Sequence, residues 1–189
     1  YPVNDNVDSV YYTNPIDHFY SLDSNPSNLK GVLSNPMNFS EASKVAFFGL
    51  ADYTWNPGAF DAQENWENCF DAILPDDPEM AQALKTVYGS LNNSYEPTEL
   101  TRLYGQYQSG NETAAAELKD KMYEILDAVE LLETLKDSDD PVKRLIVEEA
   151  QTSINKLYDM AAAIGGAMAV VSSADPLGQV HRHYPSQAA

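Results

Sequence analysis

The chain has 189 residues, 43% of them apolar, with 12 Tyr and 6 Phe, enough to bury a core for one ordinary domain or two small ones. Its 29 acidic residues against 11 basic ones leave a net charge of −18. Such a field repels phosphate backbones and anionic membrane surfaces, so no nucleic-acid partner is expected and neutral or cationic ligands remain. Cys69 is the single cysteine, which rules out an internal disulfide and a cysteine-based metal site. No membrane span is expected: IGGAMAVV, residues 164–171, is the most apolar stretch and falls short of the ~18 residues a bilayer helix needs. The chain opens on Tyr1-Pro2 with neither initiator methionine nor signal peptide, the pattern expected of a fragment or processed piece.

Residues 1–57 are rich in Asn, Asp, Pro, Ser and Tyr. VNDNVDSVYYTNPIDHFYSLDSNPSNL reads as a long ordered loop, because Tyr11, Tyr12, Phe19 and Tyr20 are too many aromatics for a disordered one. KGVLS, residues 30–34, reads as a short buried strand that stops on Asn35-Pro36. Ser40 is the expected N-cap of the next helix, with Glu41 favourably placed in its first turn. Ala42, Val45, Ala46, Gly49, Leu50 and Tyr53 recur at helical spacing until Asn56-Pro57-Gly58 ends the run.

Beyond residue 60 helical patterns dominate. Asp61 to Glu64 opens a helix whose Trp66, Cys69, Phe70 and Ile73 share one face. Cys69 therefore reads as packing and not as a nucleophile, since no histidine accompanies it. Pro78 starts a helix carrying Met80, Ala83, Leu84 and Val87, and Leu100, Leu103, Tyr104 and Tyr107 form a third stripe ended by Ser109-Gly110. Leu118, Met122, Ile125, Val129 and Leu132 step by four and three, as a bundle seam does. A last helix follows Asp140-Pro141, through Val142, Leu145, Ile146, Ile154, Leu157, Ala161, Ile164 and Met168. Each helix has one apolar face, so the helices must cover one another in an antiparallel bundle.

Three groups of residues invite a chemical reading. Asp76-Asp77 and Asp139-Asp140 are tandem carboxylates, but proline follows each pair, and aspartate before proline is how a helix starts. His181-Arg182-His183 has metal-binding side chains without a carboxylate cluster, in a tail that reads as a linker; no metal and no cofactor is expected, and His18 stands alone. Asp5 and Asn35 both stand where an extended segment gives way to a loop. An aspartate accepting two hydroxyl hydrogens beside an asparagine that both donates and accepts suits a sugar's vicinal hydroxyls, with Tyr and Trp nearby to stack on the ring. On spacing alone, ordinary turn chemistry is the better account of both residues.

YPVND, then SNPM, then EASKVAFFGLADYTWNPGAFDAQENWENC resembles the end of the catalytic domain in the β-N-acetylglucosaminidases of glycoside hydrolase family 84. The resemblance is carried by residues 1–70; the helical remainder is similar, more loosely, to the bundle that follows the barrel in that family. It implies a mainly α chain: the end of a (β/α)8 barrel over 1–60, with one strand, a long loop and one helix, then a helical-bundle domain over 61–175 and a tail over 176–189. Asp5 and Asn35 match the family's two contacts to the hydroxyls of the N-acetylglucosamine ring, Asn35 standing at the end of the last barrel strand. The chemistry implied is retaining hydrolysis of terminal N-acetylglucosaminides, in which the substrate's own 2-acetamido group attacks the anomeric carbon. The adjacent catalytic aspartates of that mechanism belong to an earlier strand, so no catalytic residue is expected here and the chain alone should be inactive. The implied partners are an N-acetylglucosamine-containing glycan or glycoprotein and the earlier part of the catalytic domain, in a secreted or cell-surface protein, with a cytoplasmic one left open. The alternative is a non-catalytic helical interaction or spacer module; a lectin-like binder is the weakest reading, because one strand and a loop do not preorganise a sugar pocket.

Overall fold

The computed structural model describes residues 13–16, 30–91 and 98–172, with side chains through 168. Six α-helices occur among the described residues: α1 (Ser40–Trp55), α2 (Ala62–Ile73), α3 (Pro78–Ser90), α4 (Glu99–Gln108), α5 (Glu112–Glu133) and α6 (Pro141–Ser172). A single 3-10 turn, Thr134–Asp137, lies between α5 and α6. The expected mainly α fold is what forms.

The helix starts show how local the instructions are. Asp61 accepts the Glu64 N–H at 2.9 Å and Asp77 accepts the Met80 N–H at 3.1 Å. Asp140 accepts the Val142 N–H at 2.8 Å. In each case a carboxylate satisfies a donor that a helix leaves orphaned in its first turn. Both Asp-Pro pairs thus supply a helix cap, and Asp77 stands directly before Pro78 at the head of α3. Asn111 caps α5 in the same way, after Gly110 has turned the chain with a φ of 88°, a left-handed conformation that glycine adopts at little cost.

Short connections make neighbouring helices antiparallel, and side-chain bonds across three of the helix pairs agree with it. Asn65 Nδ2 of α2 donates to Asp52 of α1 at 3.0 Å. Glu99 at the head of α4 pairs with Lys121 of α5 at 3.5 Å, and Gln151 of α6 donates to Glu133 at the foot of α5 at 2.9 Å. The long α5 lies centrally, packed on α3, α4 and α6, and α1 crosses to α6. Leu84 and Val87, Leu100 and Leu103, the whole α5 seam, and Ile146, Ile154, Leu157 and Ala161 form one continuous apolar cluster. Val142 departs from the expected stripe: it is exposed in the first turn of α6, ahead of the packed face that begins at Ile146.

Cys69 is fully buried within this cluster. Burial pushes its thiol up to about 12, with Asp71 adding to the rise and Lys85 opposing it. The thiolate is the nucleophile, so the folded chain should resist alkylation at pH 8, and denaturant should release it. Mass analysis after iodoacetamide, with and without urea, reads this directly; rapid native labelling would contradict the packing. Between pH 9 and about 12 the unfolded thiol ionises while the buried one does not, so Cys69 makes stability fall across that window.

No helix among the described residues is long and apolar enough to cross a membrane. The strand expected over 30–34 does not form: residues 30–34 have no regular structure, and Asn35 makes a single bridge. A strand is defined by its pairing, and the apolar run GVLS carries no information about a partner.

Candidate functional site

SNPM divides its residues between surface and core. Asn35 and Pro36 are exposed, whereas Met37 is 5% exposed and belongs to the bundle's apolar cluster with Ala42 and Val45. Asn35 is therefore held at the surface by a neighbour two residues on that is driven into the core. Asp5, the other expected sugar contact, lies outside the described residues, as do Tyr11, Tyr12, His18, Phe19, Tyr20 and the histidines of the tail.

The helix that follows Asn35 starts in a way its sequence does not announce. Ser40 is the first helical residue and not the N-cap expected of it; Phe39 occupies the cap position and has no polar side chain. The orphan donors are met from α6. Glu149 Oε1 accepts both the Ser40 N–H and the Ser40 hydroxyl, and Oε2 accepts the Glu41 N–H, each at 2.8 Å. A carboxylate so placed also meets the positive end of the helix dipole. Sequence reasoning missed Glu149 because nothing in the Glu148-Glu149 pair distinguishes it from a solvated helix face.

The EASK motif proves to be docking hardware for this junction. Ala42 and Ser43 are buried, and Ser43 Oγ donates back to the Phe39 carbonyl at 2.7 Å. Glu41 is also buried and pairs with Lys44 one turn on.

A second contact holds the loop that precedes Asn35. Thr13 is buried, its hydroxyl donating to the Tyr88 carbonyl at 2.8 Å while its own carbonyl accepts the Trp66 indole N–H. Gly89 makes room for that indole: a Cβ there would stand 3.1 Å from the ring. Ile16 packs on Leu50 with Tyr53 and Phe60. Helices α2 and α3 thus grip the loop on one side of Asn35, as α6 grips the helix on the other.

An open cleft of about 440 Å³ lies between α1 and α2, lined by Phe48, Asp52, Asp61, Glu64, Asn65 and Asn68 among others. Two of its carboxylates are engaged: Asp52 accepts from Asn65, and Asp61 caps α2. Among the described residues no group of three or more His, Cys, Asp or Glu side chains is arranged to hold a metal ion. Trp55, at the end of α1, is 88% exposed.

Residues 1–88 match the family model described as beta-N-acetylglucosaminidase. That stretch holds Asn35, the α1 junction and the loop gripped by Trp66 and Tyr88. A solved structure described as "Structure of CpGH84D" superposes with a TM-score of 0.64 at 24% identity, over 88% of this chain and 29% of that one. At that identity the likeness establishes the fold, and it carries the bundle helices beyond residue 88 into the same architecture. The chain spans 29% of the length of that solved structure.

Proposed function

We propose that this chain is the closing part of the catalytic domain, with the following helical bundle, of a retaining β-N-acetylglucosaminidase acting on terminal N-acetylglucosaminides. The observation that carries the reading is the family match over residues 1–88, with Asn35 exposed at the head of a helix whose approach is pinned on both sides. In this reading the carbonyl oxygen of the substrate's 2-acetamido group attacks the anomeric carbon as an acid protonates the departing oxygen. The oxazoline so formed is opened by water, and configuration is retained. One aspartate orients the acetamido group and its neighbour serves as acid and then base, both supplied by chain outside these residues. Asp5 and Asn35 bind the sugar's hydroxyls, which fixes the ring while its anomeric carbon reacts. An exported enzyme acting on glycans or glycoproteins is the setting we attach to this reading.

Two arms of one experiment test it. These 189 residues alone should not turn over a chromogenic N-acetylglucosaminide. In the enzyme that includes the earlier aspartates, Asp5→Ala and Asn35→Ala should each weaken sugar binding by ~1–3 kcal/mol through lost hydroxyl hydrogen bonds. Brisk turnover by the chain alone would sink the proposed division of labour. Unchanged kinetics in both variants would return the two residues to turn chemistry and favour the spacer-module reading.

A further inference from the structure

We infer that Glu149, on the last bundle helix, is a positioning residue for the sugar contact made by Asn35. The inference rests on the functional reading above, and the variants chosen separate its failure from that reading's.

Between Asn35 and the first helical residue stand only Pro36, Met37, Asn38 and Phe39. Proline fixes one backbone angle of this short tether, and Met37 is sunk in the core, so little slack remains. Beside the bridge that Asn35 itself makes, where α1 begins therefore helps to set where Asn35 stands. That beginning has no side-chain cap of its own. Its Ser40 and Glu41 N–H groups and the Ser40 hydroxyl all converge on the Glu149 carboxylate, 109 and 108 residues away. Three bonds to one charged group fix both the height and the rotation of the helix start. The bundle thus does more than follow the catalytic region: through Glu149 it holds the segment that carries Asn35 in register.

An asparagine that grips hydroxyls away from the reacting carbon binds ground state and transition state alike. Loosening it should raise KM and leave kcat nearly alone. In the enzyme with its catalytic aspartates, Glu149→Gln removes the charge and turns an amide N–H₂ towards donors that need an acceptor. KM should rise roughly three- to tenfold, the range over which loss of a helix cap acts. Asn35→Ala should raise KM too, and the double variant should be no worse than Asn35→Ala alone, because both act through one contact. Ser40→Ala, which deletes one of the three bonds, should give a smaller rise in the same direction and keeps the test decisive if Glu149→Gln fails to fold.

A lowered melting temperature with wild-type KM in Glu149→Gln or, should that variant not fold, in Ser40→Ala would reduce Glu149 to a structural cap and overturn the inference. Independent, multiplying effects of Glu149→Gln and Asn35→Ala would overturn it as well. A silent Asn35→Ala would sink the functional reading itself, whereas an impaired Asn35→Ala beside a silent Glu149→Gln would sink only the positioning role.

Discussion

Phe70→Ala should cost the folded chain ~3–5 kcal/mol, the largest loss expected from a single truncation here. The ring is almost fully buried between helices α2 and α3. It meets Trp66 edge-on at 5.1 Å and Tyr88 at 6.3 Å, so its removal forfeits two aromatic contacts as well as buried area. The neighbours are poorly placed to collapse into the gap. Trp66 is tied by its indole N–H to the Thr13 carbonyl, and Tyr88 offers its carbonyl to the Thr13 hydroxyl. Urea unfolding followed by circular dichroism reads the loss as a lower midpoint at unchanged slope. A loss under ~1 kcal/mol would mean that the pocket closes freely and that Phe70 is not central to the core.

Met37→Ala should cost ~2–3 kcal/mol, and its effect should be concentrated where α1 joins the bundle. Met37 reaches the apolar cluster from outside any helix, beside Ala42 and Val45 of α1. With its side chain gone, the start of α1 would depend more heavily on the Glu149 clamp. Amides of residues 40–43 should then exchange hydrogen sooner than those of the α5 seam, because local opening no longer requires the whole bundle to unfold. Uniform acceleration along the chain would show instead that the junction has no stability of its own. On the proposed function and the positioning role inferred for Glu149, the same variant should weaken sugar binding along with Glu149→Gln.

Much of the fold was legible because its instructions are short-range. The α5 seam of Leu118, Met122, Ile125, Val129 and Leu132 recurs within four residues at each step, and every member is buried. Asp61, Asp77 and Asp140 find their donors two or three residues on, so residue order alone identifies them as caps. Cys69 was readable as packing from its place on the Trp66, Phe70 and Ile73 face, and it is fully buried. The expected strand over 30–34 was not legible in the same sense, because half of a strand's definition lies in a partner. Asn35 could be picked out by residue type and by its motif; its exposure follows from Met37 plunging inward.

Taken alone, then, the amino-acid order determined which segments coil, which face of each is apolar, where most helices begin, and that the pieces must close into a bundle. Each of those outcomes depends on neighbours within about a turn of helix. Tertiary structure alone decided that α1 starts on a carboxylate from α6, that Thr13 is caught between Trp66 and Tyr88, and that EASK serves docking. The Glu149 and Thr13 contacts join residues 53 to 109 positions apart. No local pattern encodes such a meeting, which exists only once the apolar faces have found each other and brought distant donors and acceptors within reach.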